Sequence, residues 1–152
     1  MKPQSRIDKA IGEFKDRLIR KFGGGLISIV VFGSQVKKPR WDSDIDLLVV
    51  IEKLPENWRE RDNRFSDLEY DVSVKYGVSI SAVYYSPEEV EFGIKVRDRL
   101  FLGVLLGYRI IYDKNGFFEK NMEELKNNLD KEHANYIPDE RVWYIPSMRL
   151  RV

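Results

Sequence analysis

Two apolar, β-branched runs, Leu26–Phe32 (Leu-Ile-Ser-Ile-Val-Val-Phe) and Ile45–Ile51 (Ile-Asp-Leu-Leu-Val-Val-Ile), set the terms on which this chain can fold. Each has the length and side-chain type of a β-strand. The first is stopped by Gly33-Ser34 and the second is opened by Asp44 and Asp46. A polar, basic connector, Gln35 to Ser43, lies between them. With 152 residues the chain is about one average domain, and 43% hydrophobic residues are enough for one core. Both runs therefore belong to the same core.

The flanking segments read mostly as helices. Ser5 is a candidate N-cap, and Ile7, Ala10, Ile11, Phe14, Leu18 and Ile19 recur at helical spacing as far as Phe22. Gly23-Gly24-Gly25 then stops the helix. These glycines follow a helix and precede a strand, the reverse of a phosphate-cradling loop. Asn57 to Tyr76 reads as a helix with Trp58, Phe65, Leu68 and Val72 inward, and Val78 to Tyr85 as a third strand. Ser86-Pro87-Glu88-Glu89 is a helix start, with a serine cap, an early proline and acids that complement the helix dipole. The helix it opens is expected to run to about Leu106 and stop at Gly107. Tyr108 to Tyr112 reads as a short strand, and Phe117 to about His133 as a helix with Phe118, Met122, Leu125 and Leu129 on one face. The tail, Arg141 to Val152, has strand-like aromatics with Pro138 and Pro146 nearby and is expected to pack as an extended arm. Residues 1–113 form the expected main unit, with a C-terminal helix and tail, residues 114–152, packed on it.

Composition narrows the chemistry. No cysteine is present, which removes disulfides and thiolate-ligated metals. The single histidine, His133, cannot build a multi-histidine metal site, and its place in Lys131-Glu132-His133 reads as a solvated helix end. Twenty-six basic against twenty-five acidic side chains leave a net charge of +1, so an anion site must be local rather than a global field. The start lacks the apolar core of a signal peptide, and the longest apolar run, Leu100 to Leu106, is short of the ~20 residues that span a bilayer. The expectation is a cytoplasmic protein that does not enter the membrane.

The segment that carries chemistry is Val31-Phe32-Gly33-Ser34 followed, after nine residues, by Asp44-Ile45-Asp46-Leu47. Side chains alternate across a strand, so Asp44 and Asp46 project to one side while Ile45 and Leu47 enter the other. Two carboxylates so placed repel, and a divalent Mg2+ or Mn2+ ion, which prefers hard oxygen ligands, is the natural neutraliser. Gly33 lets backbone approach a ligand closely, Ser34 offers a hydroxyl, and a turn beginning there aims free N–H groups at a phosphate. Lys37, Lys38 and Arg40 can add positive charge. Taken singly, a Gly-Ser turn and an Asp-x-Asp strand edge are common structural features; together they have the parts needed to hold a metal–triphosphate.

An apolar strand, Gly33-Ser34, a polar connector and then Ser43-Asp44-Ile45-Asp46 opening a second apolar strand resembles the signature of the DNA polymerase β-like nucleotidyltransferase superfamily, particularly its minimal members. That resemblance implies an α+β fold, a small mixed β-sheet flanked by helices. It also implies a nucleoside triphosphate substrate, with ATP as the expected one, and magnesium or manganese. Gly33 and Ser34 would hold the β- and γ-phosphates, and Asp44 and Asp46 would ligate the metal. In the minimal group it further suggests a helical partner protein, as for antitoxin-like members.

One departure matters. Such enzymes usually place a third carboxylate on the next strand, which here reads Val78-Ser79-Ile80-Ser81-Ala82-Val83-Tyr84-Tyr85. Ser81 or Ser79 occupies the equivalent position, and a hydroxyl replaces a carboxylate neither as base nor as anionic ligand. Glu88 and Glu89 are the nearest acids in sequence, and they read as helix-start residues. Two functions follow: transfer of a nucleoside monophosphate to a protein or small-molecule hydroxyl, or a weak or inactive nucleotide-binding, antitoxin-like module acting through a helical partner. Nucleic-acid binding through Trp143 and Tyr144 near Arg141 and Arg149 ranks below both, since a packed tail explains these residues equally.

Overall fold

A computed structural model of the chain describes residues 3–40 and 42–146. Helix α1 (Pro3–Phe22) buries Ile7, Ala10, Ile11, Phe14 and Leu18 along one stripe. It begins before Ser5, because Pro3 has the fixed φ that suits a first helical turn. Strand β1 (Leu26–Phe32) follows, then the single turn α2 (Ser34–Lys37) and strand β2 (Ile45–Ile51), with both strands at the expected bounds.

Helix α3 (Trp58–Tyr76) starts at Asn57, whose side chain accepts hydrogen bonds from the Arg59 and Glu60 amides. Phe65 and Val72 are buried, but Trp58 is half exposed, with the Arg61 guanidinium 4.3 Å from its ring centre. Strand β3 (Ile80–Tyr85) starts two residues later than expected.

The sheet order is β3-β2-β1-β4, where β4 is Tyr108–Asp113. β1 runs antiparallel to β2 and β4, and β2 runs parallel to β3, so the sheet is mixed. Its central strands are apolar on both sides and need cover on both faces. On one face α1 and α3 pack over Ile29, Val31, Leu47, Val49 and Tyr84, where Phe65 stacks on Tyr84 with ring centres 3.8 Å apart. On the other, Val30, Leu48 and Val50 meet α4 (Pro87–Lys95), α5 (Arg99–Leu105) and α6 (Phe117–Lys131) through Val90, Phe101, Phe118 and Met122. The architecture is therefore α+β, a four-stranded mixed sheet between helices.

The outer edge of β3 is closed by α3. The Ile80 amide donates to Ser73 Oγ (3.2 Å), the Ala82 amide donates to Glu69 Oε1 (3.2 Å), and Arg61 Nη1 donates to the Tyr84 carbonyl (3.1 Å). Positions 61, 69 and 73 are separated by multiples of four and lie along one stripe of the helix, which satisfies a strand edge that would otherwise be open to pairing.

Two further expectations are corrected. The single helix from Ser86 to Leu106 is two: Arg97 adopts φ +54° and Asp98 caps α5, turning the chain between them. Of the tail, Arg141 to Val152, the described part is not an extended arm: β6 (Val142–Tyr144) pairs with β5 (Asn135–Ile137) in a hairpin anchored by Trp143 Nε1, which donates to the Leu102 carbonyl (3.2 Å), and by buried Ile145, while residues 147–152 lie outside the described residues. Its two prolines flank the strands without interrupting them. Among the described residues no helix is long and apolar enough to cross a membrane.

Candidate active site

The register of the sheet aligns one row of residues at the carboxyl end of β1. Phe32 pairs with Asp46 on one side and Tyr108 on the other, and Asp46 pairs with Ser81 across the parallel β2–β3 ladder. Because Leu48 and Val50 face α4, α5 and α6, Asp46 and Ser81 project to that same face, beyond the end of the helical cover. Asp44 stands two residues earlier, just before β2, and is exposed, whereas Asp46 is half-buried.

Gly33 is the hinge of the site. Its backbone (φ +75°, ψ −154°) lies where side-chain-bearing residues are strained, and a Cβ added there would stand 2.6 Å from Asp46 Oδ2. The absence of a side chain lets the Asp46 carboxylate sit directly against the backbone at the end of β1. The next four residues form the single turn α2, closed by the Val36 amide donating to the Gly33 carbonyl and the Lys38 amide donating to the Ser34 carbonyl. Ser34 is exposed beside it, and its hydroxyl has no partner among the described residues.

Gln35, one polar residue among several in the connector, is buried and holds the connector in shape. Its Nε2 donates to the carbonyls of Arg40 (2.7 Å) and Ser43 (2.8 Å), and its Oε1 accepts from the Arg40 amide (2.8 Å). Nothing in the sequence around it marks it as buried. The three bonds bring the end of the connector back to the start of β2 and so set the approach of Asp44.

The basic residues divide. The Arg40 guanidinium donates through Nε (3.0 Å) and Nη2 (2.8 Å) to the two carboxylate oxygens of Asp42, and much of its charge is spent there. Lys37 and Lys38 are exposed and have no ion-pair partner among the described residues; the Lys37 stem passes over Gly107.

Burial first, and then the negative charge of Asp44, push the Asp46 carboxyl above the usual aspartate range. Neither aspartate is bridged by a lysine or arginine among the described residues. Two unneutralised hard-oxygen donors on one edge, with a hydroxyl and free backbone amides opposite, are a donor set that fits a divalent cation carrying a phosphate chain.

The set stops at two carboxylates. Every aspartate and glutamate of the sequence lies among the described residues, and no three acidic, histidine or cysteine side chains converge to form a metal site. Ser81 stands in register beside Asp46. Ser79 lies one step further out, its carbonyl accepting from the Ile45 amide (2.7 Å). Glu89 closes a capping box with Ser86 and pairs with buried Arg61 (2.7 Å). It follows Tyr85, and Ser81 to Tyr85 is about 13 Å of strand, so Glu88 and Glu89 lie at the opposite end of the sheet. Glu69 reaches β3 from the α3 face, with the strand between it and Asp46. His133 (φ +56°) ends α6 as an exposed residue. Trp143 packs against Tyr136 and is bonded to α5, and Arg149 lies outside the described residues.

Residues 11–127 match the nucleotidyltransferase domain family. A protein from Methanocaldococcus jannaschii, named provisionally as a protein adenylyltransferase, is 30% identical over 146 residues, 95% of this chain and 98% of that protein. The spectinomycin adenyltransferase AAD(9) from Enterococcus faecialis, solved with ATP and spectinomycin, is 16% identical and superposes with a TM-score of 0.53 over 82% of this chain and 66% of its own. A toxin-antitoxin crystal structure with AMP-PNP, also 16% identical, gives a TM-score of 0.48 over 80% and 91%. With its family match and a relative aligned over nearly its whole length, this chain belongs to the nucleotidyltransferase domain family.

Proposed function

We propose that the protein is a metal-dependent nucleotidyltransferase that moves a nucleoside monophosphate, AMP from ATP by preference, onto a hydroxyl of a protein or small molecule and releases pyrophosphate. The observation that carries this reading is the contact of the Asp46 carboxylate with the side-chain-free Gly33. A carboxylate and the backbone turn of α2 lie side by side there, an arrangement that suits a metal–triphosphate. The name of the Methanocaldococcus relative supports adenylyl transfer and a protein acceptor.

In this reading Asp44 and Asp46 hold the cation, Gly33 and Ser34 receive the β- and γ-phosphates, and Lys37 and Lys38 add positive charge along the chain of phosphates. A bound Mg2+ or Mn2+ would polarise the phosphoryl oxygens and stabilise the charge that develops on the departing pyrophosphate. Gln35 keeps the connector, and with it Asp44, in place. The test is Mg2+-dependent pyrophosphate release from ATP in the presence of candidate acceptors, with Asp46→Ala as control. Release that requires both Mg2+ and Asp46 supports the reading; release unaffected by Asp46→Ala contradicts it.

Ser81, in the place where a third acid is wanted, favours a second reading: a nucleotide-binding module with little or no turnover that acts through a helical partner protein. ATP retention without pyrophosphate release, whatever acceptor or partner is added, selects it.

A further inference from the structure

The phosphate side of the site is furnished by this chain and the acceptor side is not. Ser81 is exposed and in register with Asp46 on the adjacent strand, about 4.8 Å away. Transfer requires the acceptor hydroxyl to lose its proton. A serine hydroxyl does not take a proton near neutral pH. Asp44 and Asp46 are committed to the cation. Glu69 is screened by β3, Glu88 and Glu89 stand at the opposite end of the sheet, and the lone histidine ends α6.

Resting on the nucleotidyl-transfer reading above, we propose that the missing carboxylate is brought by the acceptor, a protein segment in which an aspartate or glutamate flanks the hydroxyl that is modified and seats against Ser81. One observation favours such a segment. Asp44, Ser79 and Ser81 are all exposed, so the edge is open in the way that suits a polypeptide, whereas a small acceptor is usually enclosed. In the step itself the acceptor oxygen bonds to the α-phosphorus and its proton passes to the segment's own carboxylate. The bond from the α-phosphorus to the α–β bridging oxygen breaks, and pyrophosphate leaves.

The experiment has a binding arm and a transfer arm. Equilibrium dialysis of the full chain with Mn2+ and a non-hydrolysable ATP analogue gives the ratio of retained Mn2+ to retained nucleotide. The expected ratio is about one for the wild type and for Ser81→Ala, and about two for Ser81→Asp, which restores a third carboxylate. In the second arm, labelled AMP transfer is measured to a peptide bearing Asp-Tyr-Asp and to its Asn-Tyr-Asn counterpart. The wild type should favour the acidic peptide at least tenfold, and Ser81→Asp should reduce that preference. A wild-type ratio of two, a ratio of one in Ser81→Asp, loss of Mn2+ in Ser81→Ala, or wild-type transfer that is equal or absent for the two peptides overturns the proposal. Failure of every variant to retain nucleotide overturns instead the nucleotidyltransferase reading on which it rests.

Discussion

Replacing Gly33 by alanine separates a backbone cost from a functional one. Alanine at φ +75°, ψ −154° occupies a region nearly exclusive to glycine, which costs about 1–3 kcal/mol of stability. The new Cβ would stand 2.6 Å from Asp46 Oδ2, and ordinary contact begins at 3.4 Å, so the carboxylate must retreat by about 0.8 Å. A short side chain can turn aside at little energetic cost, so this movement adds little to the stability loss. If Asp46 holds the cation as proposed, the shift is far more than magnesium tolerates, since Mg–O bonds hold near ~2.1 Å in strict octahedral geometry. Gly33→Ala should therefore lower the urea midpoint modestly and weaken Mg2+–ATP binding, measured calorimetrically with a non-hydrolysable analogue, by at least about tenfold. Gly12→Ala is the comparison: no atom lies within 4 Å of its added Cβ, and in helix α1 it should gain about 0.5–1 kcal/mol and leave binding unchanged. A folded Gly33→Ala protein that binds Mg2+–ATP like the wild type would refute the contact argument.

Gln35→Leu removes the three bonds that shape the connector and leaves an apolar residue in a buried place. Nucleotide affinity should fall severalfold, and proteolysis between residues 38 and 43 should accelerate; an unchanged cleavage rate would speak against the clamp. Arg61→Ala removes the ion-pair partner of Glu89 and strips the Tyr84 and Pro55 carbonyls of a donor, which should cost about 3 kcal/mol in chemical denaturation. A loss under 1 kcal/mol would mean that solvent replaces those bonds. Burial raises the Glu69 carboxyl above its ordinary 4.5, with the hydrogen bond from the Ala82 amide offsetting part of the rise. A group whose folded pKa is raised favours the folded state below its unfolded pKa, and that contribution is lost as pH rises through the folded value. The stability of the wild type relative to Glu69→Gln should thus be greatest near pH 4 and decline toward neutrality; a flat or rising difference would contradict the assignment.

β1 and β2 were legible because apolar runs bounded by Gly33-Ser34 and Asp44 have one plausible end at each side. The break between α4 and α5 was not. It depends on Arg97 entering the left-handed region, which residue type does not announce, and on the Asp98 cap that follows. The hairpin was hidden because Pro138 and Pro146 read as breakers, whereas both stand outside the strands. The Gly33, Asp44 and Asp46 spacing pointed to one site, but the contact between Gly33 and Asp46 exists only through the antiparallel pairing of Phe32 with Asp46. Alternation put Ser79 and Ser81 on one face; choosing Ser81 as the neighbour of Asp46 needed the parallel register of β2 and β3. Gln35 and the Arg61, Glu69 and Ser73 stripe act through long-range bonds to backbone, a relation that local sequence does not encode.

Titration of ATP into the wild type and into Asp44→Asn/Asp46→Asn, each with Mg2+ and with the metal chelated, tests the central assignment most directly. Saturable binding in the wild type that disappears on chelation and in the double variant is the predicted result. Equal affinity in all four conditions would show that these two carboxylates do not hold the metal and nucleotide.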